Sequence, residues 1–148
     1  MSYLKKYSVL VLLLSVFVPA VCVSQTNPPP VAMPTQQNKI IVDKIIEAAN
    51  YKTYFTDYCL AKINATAEKE KWNDQKTNEI TGSINFRNFR DAVYNMFAFY
   101  NEVELEELLS KYKKDSSYQT QNVITANKIV TSNLEIFAKS LVEGRYVK

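Results

Sequence analysis

The chain has 148 residues, 18 basic and 15 acidic side chains, and no histidine. That length suits one domain with a real hydrophobic core. The missing imidazole excludes a Ser-His-Asp triad and a histidine metal site, and 47% apolar residues exclude a disordered chain.

Lys5 and Lys6 precede an apolar run from Val9 to Val18 that is broken only by Ser15, and small residues follow at Ala20, Cys22 and Ser24. This order predicts a secretory signal peptide over residues 1–24, cut after Ser24 or, as the second choice, after Ala20. The run is too short for an ordinary membrane span. A lipid anchor on Cys22 is the rival reading, but Val21 stands where a lipobox takes a small residue. Removing the leader takes away two bases, so 16 bases face 15 acids and the net charge falls from +3 to +1. That balance gives no footprint for a nucleic acid. It also leaves Cys59 without an internal partner, to be read as a buried small hydrophobe or as an intermolecular disulfide.

Residues 25–38, "QTNPPPVAMPTQQN", predict a Pro-rich extended linker. Beyond Pro34 there is no further proline, and glycine occurs only at Gly82 and Gly144. The remaining 39–148 is therefore read as helical. A first helix is predicted over 39–49 with Asn38 as its cap, carrying Ile41, Ile45, Ala48 and Ala49. A second is predicted over 51–71, continuous with the first or kinked near Asn50. In it Tyr51, Tyr54, Phe55 and Tyr58 form one aromatic stripe.

"NDQKTNEITG", 73–82, reads as a loop. A third helix is predicted from Ser83 or Asn85, with Phe86, Phe89, Val93, Phe97 and Tyr100 on one side. Its "NFRNFR" repeats every three residues, which places both phenylalanines on one face and Arg87 and Arg90 on a neighbouring one. The fourth helix has the clearest start: Asn101 at the cap and Glu104 three residues on form a capping box. Glutamates at 102, 104, 106 and 107 lead, and Lys111, Lys113 and Lys114 follow, as the helix dipole prefers. Leu105, Leu108, Leu109 and Tyr112 supply its apolar face. Asp115–Ser117 predicts a short turn. A fifth helix is expected over 118–143, with Val123, Ala126, Val130, Leu134, Phe137 and Leu141 inward, ended by Gly144.

The predicted fold class is all-α: a small bundle of four or five helices behind a signal peptide and a Pro-rich linker. No catalytic, cofactor or metal residue is identified. Glu102 and Glu106 lie one helical turn apart, but at a helix start dipole compensation accounts for them. Asn64-Ala65-Thr66 is a glycosylation acceptor only in a eukaryotic source. Four residues, Tyr54, Tyr58, Glu102 and Glu106, are candidates for contacting a protein partner.

Two stretches carry resemblances. The span Phe86 to Leu141, with "FYNEVELEELLSKYKKDSSYQ", Phe99 to Gln119, keeping order and register, resembles a family of small secreted Gram-negative helical proteins, the domain of unknown function number 2059, and "VDKIIEAAN", Val42 to Asn50, resembles that family's opening helix. Glu104, Leu105, Leu108, Leu109 and Tyr112 occupy that pattern's places, while Asp115, Ser116 and Ser117 stand where it carries Pro-x-Gly. The resemblance implies an exported helical domain and transfers no activity. "NYKTYFTDYCLAKI", Asn50 to Ile63, is similar to the opening helix of periplasmic immunity proteins that neutralise type VI secreted cell-wall amidases. Those proteins usually carry a second Cys, where this chain has Met96. That similarity implies a helical inhibitor that docks its toxin by a protruding surface.

Overall fold

The computed structural model describes residues 32–115 and 122–148. The predicted leader, half of the predicted linker (25–31), Ser116 and Ser117 of the predicted turn and the start of the predicted fifth helix lie outside the described residues. The described residues form six α-helices and one short 3-10 turn, with no strand. In chain order these are α1 (Gln36–Ala48), α2 (Tyr51–Glu70), α3 (Asp74–Gly82), a 3-10 turn at Phe86–Asn88, α4 (Arg90–Met96), α5 (Glu102–Lys114) and α6 (Lys128–Val142).

Helix α1 starts three residues before the predicted point. Thr35 is the cap, its hydroxyl accepting from the Asn38 backbone N–H at 3.1 Å. Asn38, expected to be that cap, is instead buried in the first turn, and its Nδ2 donates to the Tyr100 carbonyl at 2.9 Å. The break between α1 and α2 falls at Asn50, whose φ of 50° is left-handed. Asparagine tolerates that region better than most residues, and its Oδ1 also accepts from the Thr53 hydroxyl at 2.7 Å.

Residues 73–82 are not a loop. Asn73 caps α3, accepting from Lys76 N–H at 2.9 Å, and Ile80 inserts into the core. One good cap and one buried side chain hold this polar segment helical, where low intrinsic propensity alone predicts a loop. The predicted third helix is also divided. Phe86–Asn88 is a 3-10 turn, α4 covers only Arg90–Met96, and 97–99 is again turn. The side-chain segregation in NFRNFR survives because a 3-10 period is three residues: Phe89 is buried, Phe86 half-buried and Arg87 exposed.

Helix α5 meets its prediction fully. The Asn101 side chain accepts from Glu104 N–H at 3.0 Å, and Glu104 accepts from Asn101 N–H at 2.8 Å. The last helix begins at Lys128, ten residues later than expected, with Asn127 capping Ile129 and Val130. Residues 123–126 form a turn held by Asn122 Oδ1, which accepts from Ile124 and Thr125 N–H at 3.0 Å each. This inverts part of the predicted stripe: Ala126 is exposed, and Ile124 takes the core position. Gly144, at φ 77°, follows the end of α6 as expected.

Two helix pairs organise the bundle: α1 packs most extensively on α5, and α2 on α6. Their inner faces share one core. In it Phe55 meets Phe86, Phe89 and Phe137 at ring distances of 5.3–5.4 Å. Tyr51, Cys59 and Ile63 continue the buried row of α2 at four-residue steps. Cys59 is a buried free thiol, pushed up to about 12 by burial. An intermolecular disulfide there would require opening the α2–α6 seam.

Candidate functional site

The predicted partner-binding residues fall into two sets on different helix pairs. Tyr54 and Tyr58 lie on α2 beside α6, whereas Glu102 and Glu106 lie on α5, which packs on α1.

On α2, Tyr54, Tyr58 and Lys62 follow each other at four-residue steps, on the flank of the buried row. Tyr58 is half-buried, and its hydroxyl donates to Glu135 on α6. Lys62 Nζ lies 2.5 Å from the other oxygen of the same carboxylate. The Lys62 bond and then the Tyr58 bond hold the Glu135 carboxyl below its ordinary range. The same bond to Glu135, followed by burial, raises Tyr58 to about 12. Tyr58 is thus engaged in tying α2 to α6. Tyr54 carries no such bond; it is 39% exposed and packs at 6.4 Å from Tyr58.

The second set belongs to a different kind of surface. Phe97 is fully buried, and Tyr100 packs edge-on against it at 5.4 Å. Asn38 grips the Tyr100 carbonyl, and Tyr100 N–H donates to the Phe97 carbonyl at 3.1 Å. These anchors on either side throw the intervening Phe99 outward, where it is 91% exposed. The capping box then sets the start of α5, and Leu105, Leu109 and Tyr112 turn inward. Helical geometry therefore turns Val103 outward and sets Glu106 on the flank, while Glu102, three residues before the inward Leu105, is exposed by its place at the helix start. Val103 is 68% exposed, and both glutamates are exposed. No ion pair joins either glutamate to a base among the described residues. Phe99 before the helix and Val103 in its first turn are thus exposed apolar side chains, close in sequence to two exposed carboxylates that make no ion pair among the described residues.

Phe99 was not singled out by the sequence. The signal for it was present: within the run from Phe97 to Tyr100 it falls off the three-and-four spacing of the inward side chains. An aromatic that breaks a stripe has no core position to fill.

A third feature is the corner around Arg87 and Arg90. A pocket of about 280 Å³ is lined there by Asp43, Glu47, Lys52, Phe86, Arg87 and Arg90. On the other side of Arg87 an open groove of about 600 Å³ runs between Asn78, Asn88 and Tyr146. Tyr94 donates to Asp43 at 2.7 Å, and burial with that bond raises it to about 12.

Among the described residues no group of three His, Cys, Asp or Glu is placed to hold a metal ion, and no helix is long and apolar enough to cross a membrane. Comparison with known protein families, with curated proteins and with solved structures finds no match to this chain.

Proposed function

We propose that this chain is an exported, non-enzymatic binding protein that docks a protein partner through the surface of Phe99, Glu102, Val103 and Glu106. The single observation carrying this reading is the exposure of Phe99. A phenylalanine in water forfeits about 1.5–3 kcal/mol of burial free energy. Here the neighbouring turn is anchored on both sides, so the ring is held out rather than left loose. Aromatic side chains in such positions are the usual anchors of protein interfaces. The bordering carboxylates define the partner's chemistry: an apolar socket with a basic rim, which would steer association and set register. Export rests on the leader pattern of Lys5, Lys6 and Val9–Val18.

The second reading is a specific case of the first. The Asn50–Ile63 similarity implies an immunity protein that neutralises a cell-wall hydrolase, and a protruding aromatic suits a plug for an enzyme's cleft. In that case the captured partner would be a hydrolase inhibited at one-to-one stoichiometry.

The test is a comparative capture from envelope extracts with the wild type, Phe99→Ala and the double variant Glu102→Lys/Glu106→Lys. The reading expects a partner retained by the wild type and lost from both variants, each of which keeps the wild-type circular dichroism spectrum, with a modest fall in Tm for the double variant from its reversed charges at the helix start. Equal retention by all three proteins would overturn it.

A further inference from the structure

The NFRNFR segment contributes Phe86, Arg87 and Arg90 to the 280 Å³ pocket, and the lining has two chemically opposite walls. Helix α1 supplies Asp43 and Glu47, one turn apart on one face. The segment from the 3-10 turn into α4 supplies Arg87 and Arg90, three residues apart. Phe86 adds an apolar surface between them.

Walls that served only to neutralise each other would close into ion pairs. They do not close. Among the described residues no ion pair joins either arginine to a carboxylate. The carboxylates have other partners: Glu47 meets Lys52, a third basic residue of the lining, at 3.5 Å, and Asp43 accepts from Tyr94. The Arg90 guanidinium is held over the Tyr94 ring at 5.1 Å. Its Nε–H is buried and finds no acceptor among the described residues, an unmade bond of a kind that is uncommon in folded proteins.

We propose that this pocket binds a small zwitterion, an amino acid or a dipeptide. Its carboxylate would lie on the guanidiniums of Arg87 and Arg90, and its ammonium on Asp43 and Glu47. The planar guanidinium fork matches a carboxylate. A plain anion would meet Asp43 and Glu47 as like charges, and a plain cation would meet Arg87, Arg90 and Lys52. Only a ligand carrying both signs satisfies both walls. The volume lies at the small end for ligand pockets, which limits the occupant to a few heavy atoms beyond its two charged groups. Phe99 takes no part in this pocket, so the inference does not rest on the partner-binding reading.

The experiment is an NMR titration of the folded protein with alanylalanine, beside N-acetyl-alanylalanine and alanylalanine amide. Free dipeptide should shift the backbone amides of 86–90 and 43–47 saturably. Each blocked derivative loses one charge-assisted contact and should bind about tenfold or more weakly. Arg87→Gln and Glu47→Gln replace exposed side chains, so both variants should keep the wild-type spectrum elsewhere and bind at least about fivefold more weakly. Absence of saturable shifts, or a blocked dipeptide binding as well as the free one, would overturn the proposal. So would unchanged affinity in both variants.

Discussion

Truncating Phe55 should cost this protein more than truncating any exposed aromatic, and the structure supplies the magnitude. Phe55 is fully buried and touches three other rings, Phe86, Phe89 and Phe137, at 5.3–5.4 Å. Phe-to-Ala changes in cores cost about 3–5 kcal/mol, because the lost transfer free energy is joined by a cavity. Each well-placed ring pair adds roughly 0.5–1.5 kcal/mol beyond burial. Phe55→Ala is therefore expected near the top of the range, at about 4–5 kcal/mol. That is a large share of a total stability of roughly 5–15 kcal/mol. For a domain of this size it corresponds to a fall in Tm of about 15–20 °C. Phe55→Leu keeps most of the volume and should cost about 1.5 kcal/mol. Phe99→Ala removes the same side chain from water rather than from the core and should stay within about 0.5 kcal/mol of wild type. Urea unfolding followed by far-UV circular dichroism measures all three. A cost below about 1.5 kcal/mol for Phe55→Ala, or a cost for Phe99→Ala comparable to it, would refute the assignment of these two rings to core and surface.

Stability should fall at alkaline pH. Cys59, Tyr58 and Tyr94 are all raised to about 12 in the fold, from ordinary values of 9.0 for the thiol and 10.0 for the phenols. Groups raised in the fold hold their protons longer than in the unfolded chain, so their stabilisation is complete below the unfolded values and lost as pH rises towards 12. Denaturation midpoints should be flat near neutrality and decline from about pH 9, with Cys59→Ala delaying the onset; a midpoint unchanged to pH 11 would contradict the burial of Cys59 and Tyr94 and the bond of Tyr58 to Glu135. Lys71 ends α2 at φ 53°, a left-handed conformation that costs a side-chain-bearing residue roughly 1–2 kcal/mol. Lys71→Gly should therefore stabilise by about 0.5 kcal/mol in the same urea assay, after allowance for the entropy glycine adds to the unfolded chain. Asn101→Ala removes one half of the capping box and should cost about 1 kcal/mol, whereas Asn38→Asp replaces the donor to the Tyr100 carbonyl with an acceptor, so it should abolish that bond and lower Tm without affecting a cap.

What the sequence made legible was local. The capping box at Asn101 and Glu104 involves residues three apart, and it appeared where the pattern put it. The all-α class followed from the scarcity of glycine and proline after Pro34. What escaped depended on distant partners. Helix α3 forms because Ile80 finds the core, which its polar neighbours do not announce. Ile124 replaces Ala126 inside because the chain turns at Asn122 instead of coiling. The bond from Tyr58 to Glu135 joins residues 77 apart in the chain. No periodicity within α2 could reveal that the two meet. Glu102 and Glu106 were recognised by type, whereas the exposure of Phe99 and Val103 was not.

The most direct test of the partner-binding account is site-specific photocrosslinking in the native host. A photoreactive phenylalanine analogue is placed at position 99 and, as a control, at position 56, where the exposed Thr56 lies on α2. The account predicts one dominant protein adduct from position 99, absent from position 56 and lost when Glu102 and Glu106 are changed to lysine. The same adducts from both positions, or none from position 99 in a folded and exported protein, would contradict it.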